Sequence, residues 1–354
     1  MAYTTINKST DYFNTVLYTG NGSAGHSITG VGFQPDWLWI KPRSSSNRHT
    51  LYDVIRGTNS LSSESNGQEV DRAGDGFTSI DSDGFTLNNG GSGGDVNYSG
   101  RTHVAWNWKA GGTASANSSG TISSSVSANT TAGFSVVAYT GTGSAGATVG
   151  HGLGEAPKLI IQKGRTGVTD DWLIYHHEYG ATHGFALNNT TGATDSDTYF
   201  NDTAPTSTVF TIGNNGKVNT NGATHIAYCF AEKKGFSKFG TYYGTGNSDN
   251  GPFLFTGFKP AWLMIKESSS SGESWIMYDN KRSAGINVTD DVLFANAIQL
   301  EEANQTSKGV DFLSNGIKIR NTDNVTNGSA EQYIYMAFAE APLVGNNNVP
   351  ATAK

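Results

Sequence analysis

One cysteine in 354 residues excludes an internal disulfide and any metal site built on a cysteine pair. Charge is equally sparse. Only 15% of residues are charged, the formal net charge is −7, and no basic run occurs anywhere, which removes the electrostatic footprint of a nucleic-acid partner. No stretch approaches 18 continuous apolar residues, so membrane insertion by a helix is not expected, and the opening MAYTTINKST has neither the basic nor the apolar region of a secretory leader. These absences lead us to expect a soluble protein made in a reducing cytoplasm.

Glycine is abundant, at 45 residues, against 8 prolines, and Gly, Ser, Thr and Asn supply most of the polarity. Such a composition disfavours helix and favours short strands joined by tight turns. Aromatic residues make up 11% of the chain, enough to build a core because each buries a large area.

One block of sequence returns three times in the same order. Phe13 to Gly22, Gly32-Phe-Gln-Pro35-Asp-Trp37-Leu-Trp-Ile-Lys41 and Leu51-Tyr52-Asp53 are answered by Phe134 to Gly143, Gly154-Glu-Ala-Pro157-Lys-Leu159-Ile-Ile-Gln-Lys163 and Ile174-Tyr175-His176. The third copy has Phe236 to Gly246, Gly257-Phe-Lys-Pro260-Ala-Trp262-Leu-Met-Ile-Lys266 and Met277-Tyr278-Asp279. Closing strands from Thr102 to Trp108, Thr224 to Phe230 and Gln332 to Phe338 match as well. The lysine spacings are 163 − 41 = 122 and 266 − 163 = 103, too long for a solenoid repeat of about 20–50 residues. The expected organisation is therefore β-domains over 1–110, 133–234 and 235–344, a Gly/Ser/Thr-rich linker over 111–132 that lets the first domain move, and a tail over 345–354.

Apolar runs of five to eight residues bounded by Gly, Asn, Asp or Pro carry the strand signature. Trp37-Leu-Trp-Ile and its two counterparts are apolar on both faces, which predicts a sheet covered on both sides. The closing strand alternates, with Val104, Trp106 and Trp108 on one face and His103, Ala105 and Asn107 on the other. Asp83-Gly84 and Asn315-Gly316 signal hairpins. The fold expected is all-β: three tandem, similar, antiparallel β-sandwich domains of jelly-roll type.

Motifs that suggest chemistry have plainer readings. Gly20-Asn-Gly22-Ser-Ala-Gly25 and Gly141-Thr-Gly143-Ser-Ala-Gly146 match the dinucleotide pattern G-x-G-x-x-G, but the residues after the last glycine break a helix rather than opening one. A glycine turn is expected, with no cofactor. His103 and His225 are matched, yet Tyr333 stands at their position in the third copy, and Asp53 and Asp279 stand at that of His176. The histidines are read as strand residues hydrogen-bonded to a neighbouring strand rather than as metal ligands. Lys41, Lys163 and Lys266 are read as strand-end ammonium groups pairing with carboxylates, and Tyr52, Tyr175 and Tyr278 as core rings whose hydroxyls bond backbone. No nucleophile elbow is present and no catalytic residue is assigned, so an enzyme is not expected.

The phrases Tyr18-Thr-Gly-Asn-Gly22, Ser27-Ile-Thr-Gly-Val-Gly-Phe33-Gln-Pro-Asp-Trp37-Leu-Trp-Ile-Lys41 and His151-Gly-Leu-Gly154 with Pro157-Lys-Leu-Ile-Ile resemble a repeated glycine-rich β-domain of virion structural proteins of marine tailed bacteriophages such as cyanophages. The resemblance implies a surface component of the particle, a tail fibre or appendage or alternatively a head decoration, assembled in the host bacterial cytoplasm with other virion proteins as partners. It carries no catalytic residues to this chain. A third reading is a carbohydrate-binding adhesin for host-surface glycans, in which the loops after the lysine strand, differing between copies, make the contacts. Its candidate residues are Arg43, Asn47 and Arg48, then Arg165, Asp170 and Asp171, then Glu267 and Glu273.

Overall fold

A computed structural model describes residues 3–90, 95–283, 287–345 and 350–351. The class is all-β, as the composition requires, with several antiparallel sheets and only single-turn helices among the described residues. Three main sheets share one strand order. In the first, Phe13–Thr19 pairs with the closing strand Thr102–Trp108, which pairs with the lysine strand Trp37–Pro42, which pairs with Thr50–Asp53. Phe134–Thr140, Thr224–Phe230, Leu159–Thr166 and Leu173–His176 repeat that order, as do Ser237–Tyr243, Gln332–Pro342, Phe258–Glu267 and Ile276–Asp279. Each such set forms one unit of the molecule.

The doubly apolar lysine strand explains the layering. Leu38 and Ile40 turn into the unit's own interior, against Ile28, Phe77, Phe85 and Leu87 of a small second sheet formed by His26–Thr29, Gly84–Leu87 and Phe77–Asp81. The hairpins signalled by Asp83-Gly84 and Asn315-Gly316 lie in these small sheets. Trp37 and Trp39 turn the other way, into a core shared with the remaining units. The closing strand keeps its alternation, with Val104, Trp106 and Trp108 in the shared core and Ala105 in the unit's own, and both faces are buried.

Large rings fill the shared core. Trp37 stacks on Tyr228 of the second unit at 4.4 Å, Phe13 stacks on Phe338 of the third at 5.3 Å, and Trp108 meets Trp262 edge-on at 5.5 Å. Phe230 reaches Phe338 at 5.7 Å. All three units thus meet at one centre.

The segment 111–132, expected as a flexible linker, is instead built into the second unit. Ser124–Asn129 pairs along Phe134–Thr140, and Ser115–Asn117 pairs outside it, so the second main sheet gains two strands. The intervening turn lies on the edge of the second unit's own small sheet, Ala147–Gly150 paired with Val209–Ile212, where Ile122 N donates to Thr148 O at 2.9 Å and Ser124 Oγ to Gly150 O at 3.0 Å. Its Ser and Thr side chains satisfy an edge strand that would otherwise be open. Composition alone reads as linker because such a strand needs no large side chains. The tail over 345–354 lies mostly outside the described residues.

Because the units share one interior, truncating its centre should weaken all of them together. Trp262→Ala is expected to lower stability by about 3–5 kcal/mol and to leave a single transition, followed in urea by tryptophan fluorescence and by far-ultraviolet circular dichroism. Three separate transitions would show interiors closed independently.

Candidate functional site

The buried charge of the molecule collects where units meet, at seams that repeat cyclically. Each lysine ammonium is fully buried at the end of its strand. Lys41 Nζ donates to Pro42 O at 3.0 Å and to Ile298 O of the third unit at 3.3 Å. Lys163 Nζ donates to Gly164 O and to Asn66 O of the first unit, at 3.2 and 3.0 Å, and Lys266 Nζ to Glu267 O and to Thr190 O of the second, at 2.6 and 3.3 Å. The expected carboxylate partner is replaced by carbonyl groups, because the strand end is covered by the next unit's loop backbone rather than by its side chains. Burial pulls each ammonium down to about 8, against the opposing pull of carboxylates farther off.

Two further contacts repeat around the same cycle. The carbonyls of Arg43, Arg165 and Ser268 accept the backbone N–H of Glu301, Glu69 and Ala193, at 2.9, 3.0 and 3.0 Å. At the start of the fourth strand of each main sheet, Trp172 Nε1 donates to Ser62 O and Trp275 Nε1 to Ala186 O, both at 2.9 Å. His49 takes the matching place: its Nδ1 accepts from Trp39 Nε1 at 2.8 Å, which leaves Nε2 to donate to Phe294 O at 2.9 Å.

Two-pronged and fully buried ion pairs strengthen two seams and have no counterpart at the corresponding positions of the third among the described residues. Arg43 grips Glu301 in two-pronged fashion, Nη2 to Oε1 at 2.7 Å and Nε to Oε2 at 2.9 Å, and Arg165 grips Glu69 the same way at 3.0 and 2.8 Å. Deeper in, Asp53 and Arg56 form a fully buried pair at 2.5 Å, and the Tyr228 hydroxyl donates to Asp53 at 2.7 Å. Asp279 and Arg282 repeat this at 2.5 Å, with Trp106 Nε1 donating to Asp279 at 3.0 Å. Burial raises the Asp279 carboxyl, but the Arg282 charge and the donors around it hold it below its ordinary range. Between the second and third units the corresponding residues are His176, Tyr179 and Met336, with Ser268 opposite Ala193, so these positions carry no ion pair, and the one between Lys238 and Glu232 at 2.9 Å lies beside the short connection instead.

The glycine turns grip a buried asparagine. Asn97, Asn219 and Asn327 are each fully buried and lie six residues before His103, His225 and Tyr333. Their side-chain oxygens accept from Asn21 N, Thr142 N and Thr245 N at 3.0, 2.7 and 2.7 Å, and their carbonyls accept from Gly22, Gly143 and Gly246 N at 2.8, 2.9 and 2.9 Å. Those glycines have φ of +72°, +73° and +62°, which explains why the turn needs them. Motif reading passes over this asparagine, although its constant six-residue offset marks it once the copies are set side by side.

The histidines differ from expectation, and the tyrosines differ in part. His103 and His225 stack on Tyr18 and Tyr139 at 4.8 and 5.3 Å, as Tyr333 does on Tyr242 at 4.9 Å. His103 Nε2 faces Asp95 O, in a loop rather than a strand, at 3.2 Å, and the ring nitrogens of His225 make no hydrogen bond to a neighbouring strand among the described residues. Of the tyrosines read as core rings, Tyr278 bonds Lys308 O at 2.7 Å, whereas the Tyr52 hydroxyl has no hydrogen-bond partner among the described residues and its ring stacks on Phe77 at 4.1 Å. Among the described residues no group of three or more His, Cys, Asp or Glu is placed to hold a metal ion, and no helix is long and apolar enough to cross a membrane.

The eight candidate loop residues do not converge. Arg43 and Arg165 are committed to the seams. Asn47 donates to Asp95 at 2.8 Å and accepts from Arg101 at 2.7 Å. Asp170 gives its carbonyl to Lys163 at 2.8 Å, while Asp171 accepts from Asn188 at 2.7 Å and faces Lys217 at 3.3 Å. Glu267 is buried and accepts from the hydroxyls of Ser269 and Ser270 at 2.8 and 2.9 Å. Glu273 is half-buried, and burial together with the nearby carboxylates of Asp323 and Glu267 raises its carboxyl. Arg48 is exposed, and its guanidinium has no hydrogen-bond or ion-pair partner among the described residues.

A family model described as a domain of unknown function, DUF7483, matches residues 8–342. No curated protein and no solved structure matches the chain.

Two outcomes test the seams. Asp53→Ala leaves the Arg56 guanidinium buried without its ion-pair partner and is expected to cost about 3–5 kcal/mol, whereas adding Arg56→Met should recover most of the loss in chemical denaturation. The second concerns pH. Burial holds His103 and His225 down at about 4 and His176 at about 3, so the unfolded chain binds more protons below the ordinary value of 6.5. The contribution of these histidines is therefore full above pH 6.5 and is lost as pH falls toward 4, opposed in part by carboxyls that burial raises, Glu64 to about 7 and Asp36, Glu273 and Asp290 above their ordinary value. A thermal midpoint that stays level from pH 7 to 4.5 would contradict this.

Proposed function

Because the chain belongs to the family of the domain of unknown function DUF7483 over a span that takes in all three units, we propose that the closed set of three units works as one body: a non-enzymatic bacteriophage virion structural protein, exposed as a tail-fibre or appendage component. The observation that carries this reading is the use to which the recurring residues are put. The lysines, the buried asparagines and the doubly apolar strands go into the interior and the seams, so what the copies share is architecture. The virion placement rests on the sequence resemblance, and with it assembly in the host bacterial cytoplasm and partnership with other virion proteins. A head decoration is the second reading, favoured by a three-unit body whose seams close cyclically, which suits a site of threefold symmetry.

Electron microscopy of phage particles labelled with antibody to this protein tests both. Label at the tail supports the appendage, label spread over the head moves the assignment to decoration, and particles that carry none of the protein overturn the virion reading.

A further inference from the structure

Eight arginines occur in the chain, and seven have side-chain partners. Arg43, Arg56, Arg165, Arg282 and Arg320 meet carboxylates at 2.5–2.8 Å, Arg72 approaches Asp75 at 3.6 Å, and Arg101 bonds Asn47 and lies over the Tyr98 ring. Arg48 alone has none among the described residues, only a backbone contact to Asp95 at 3.4 Å. The Glu64 carboxyl feels the Arg48 charge without pairing with it, and burial raises that carboxyl to about 7. The Arg48 side chain borders an open cleft of about 300 Å³ in the first unit, lined also by Arg72, Ser60, Ser62, Ser65 and Gln68.

The cleft's polarity is one-sided. Glu69 is its only acidic lining residue, and that carboxylate is held by Arg165 across the seam. Arg72 is held in place by Nε donating to Ser60 Oγ at 3.3 Å, and Ser65 Oγ accepts from Gly67 N at 3.0 Å. Arg48 and Arg72, the latter also 3.6 Å from Asp75, therefore line, with Ser60, Ser62, Ser65 and Gln68, a space whose one carboxylate is held by Arg165, in a protein of net charge −7. Such a set fits an anionic oxygen cluster, since guanidinium forks bind sulfate and carboxylate with charge-assisted bonds. The volume admits about one sugar ring with its substituent.

We propose that this cleft binds the anionic group of an acidic saccharide, with Arg48 as its principal contact. The site goes beyond the virion reading and does not require it.

Calorimetric titration of the full chain with a sulfated tetrasaccharide, a carboxylated one of galacturonate and a neutral one of glucose tests it. Arg48→Glu is paired with Lys8→Glu, which makes the same change of charge at an exposed residue away from the cleft. Binding of either acidic sugar that falls about tenfold or more with Arg48→Glu, and is unchanged with Lys8→Glu, is the expected result, and which acidic sugar binds names the anion. No binding of either at millimolar concentration, equal losses in both variants, or preference for the neutral sugar would each overturn the proposal. Arg48→Glu breaks no side-chain hydrogen bond or ion pair among the described residues, and an unchanged thermal midpoint checks that it folds.

Discussion

A strand that is apolar on both faces cannot lie at a surface, and that constraint organises the molecule. Leu38 and Ile40 are covered by the small sheet of their own unit, but Trp37 and Trp39 need a second cover that the unit cannot supply. The same is true of Leu159 with Ile161 and of Trp262 with Met264. Three units solve the problem for one another by turning these faces to a common centre, where burial of indole and phenyl rings at roughly 25 cal/mol per Å² makes the assembly far more stable than any unit alone. A lone unit would expose a contiguous aromatic face of the kind that drives association.

Closing three sheets around one centre buries their strand ends, and the seams are the consequence. A lysine in each inner strand carries its stem along apolar surface and delivers a buried ammonium to carbonyls of the next unit, which supply the acceptors that its burial requires. The seam between the second and third units shows how tightly such groups are coupled. Where Asp becomes His176, the facing donor becomes Met336, and where Arg becomes Ser268, the facing Glu becomes Ala193. Changing one member of an Arg–Glu pair alone would leave the other's charge half-buried without its partner. This seam is also the one whose units are joined by only a few residues, 231–235, and a short tether raises the effective concentration of the faces it connects. The ionic seams are those that involve the first unit, which is joined to the second through the longer segment 111–132 and to the third by no direct chain connection.

Much of this architecture is legible in the sequence because it is written three times. Strand positions, hairpin glycines and the two-sided burial of the lysine strand come from periodicity and from comparing copies. What periodicity does not reveal is which second surface covers a doubly apolar strand, and so the shared centre is invisible until the sheets are placed. The segment 111–132 misleads for a related reason: small Ser, Thr and Ala side chains suit an outer strand as well as a tether, and composition does not tell the two apart. At the candidate site, Arg43 and Arg165 could be recognised as loop residues but not as seam residues, because Glu301 and Glu69 lie 258 and 96 positions away.

Function in such a body belongs where the copies differ. A recurring residue that seals a seam is not free to take on chemistry, since its loss opens the interior it closes. The rim loops carry no such obligation, and their charge can be spent on a partner. The first unit illustrates the division within a few residues: Arg43 faces inward and is saturated by Glu301, while Arg48, past a turn of three serines and an asparagine, stands at a cleft whose acidic wall is neutralised by the neighbouring seam. The closure that removes one arginine from availability thus fixes the floor on which the other is displayed.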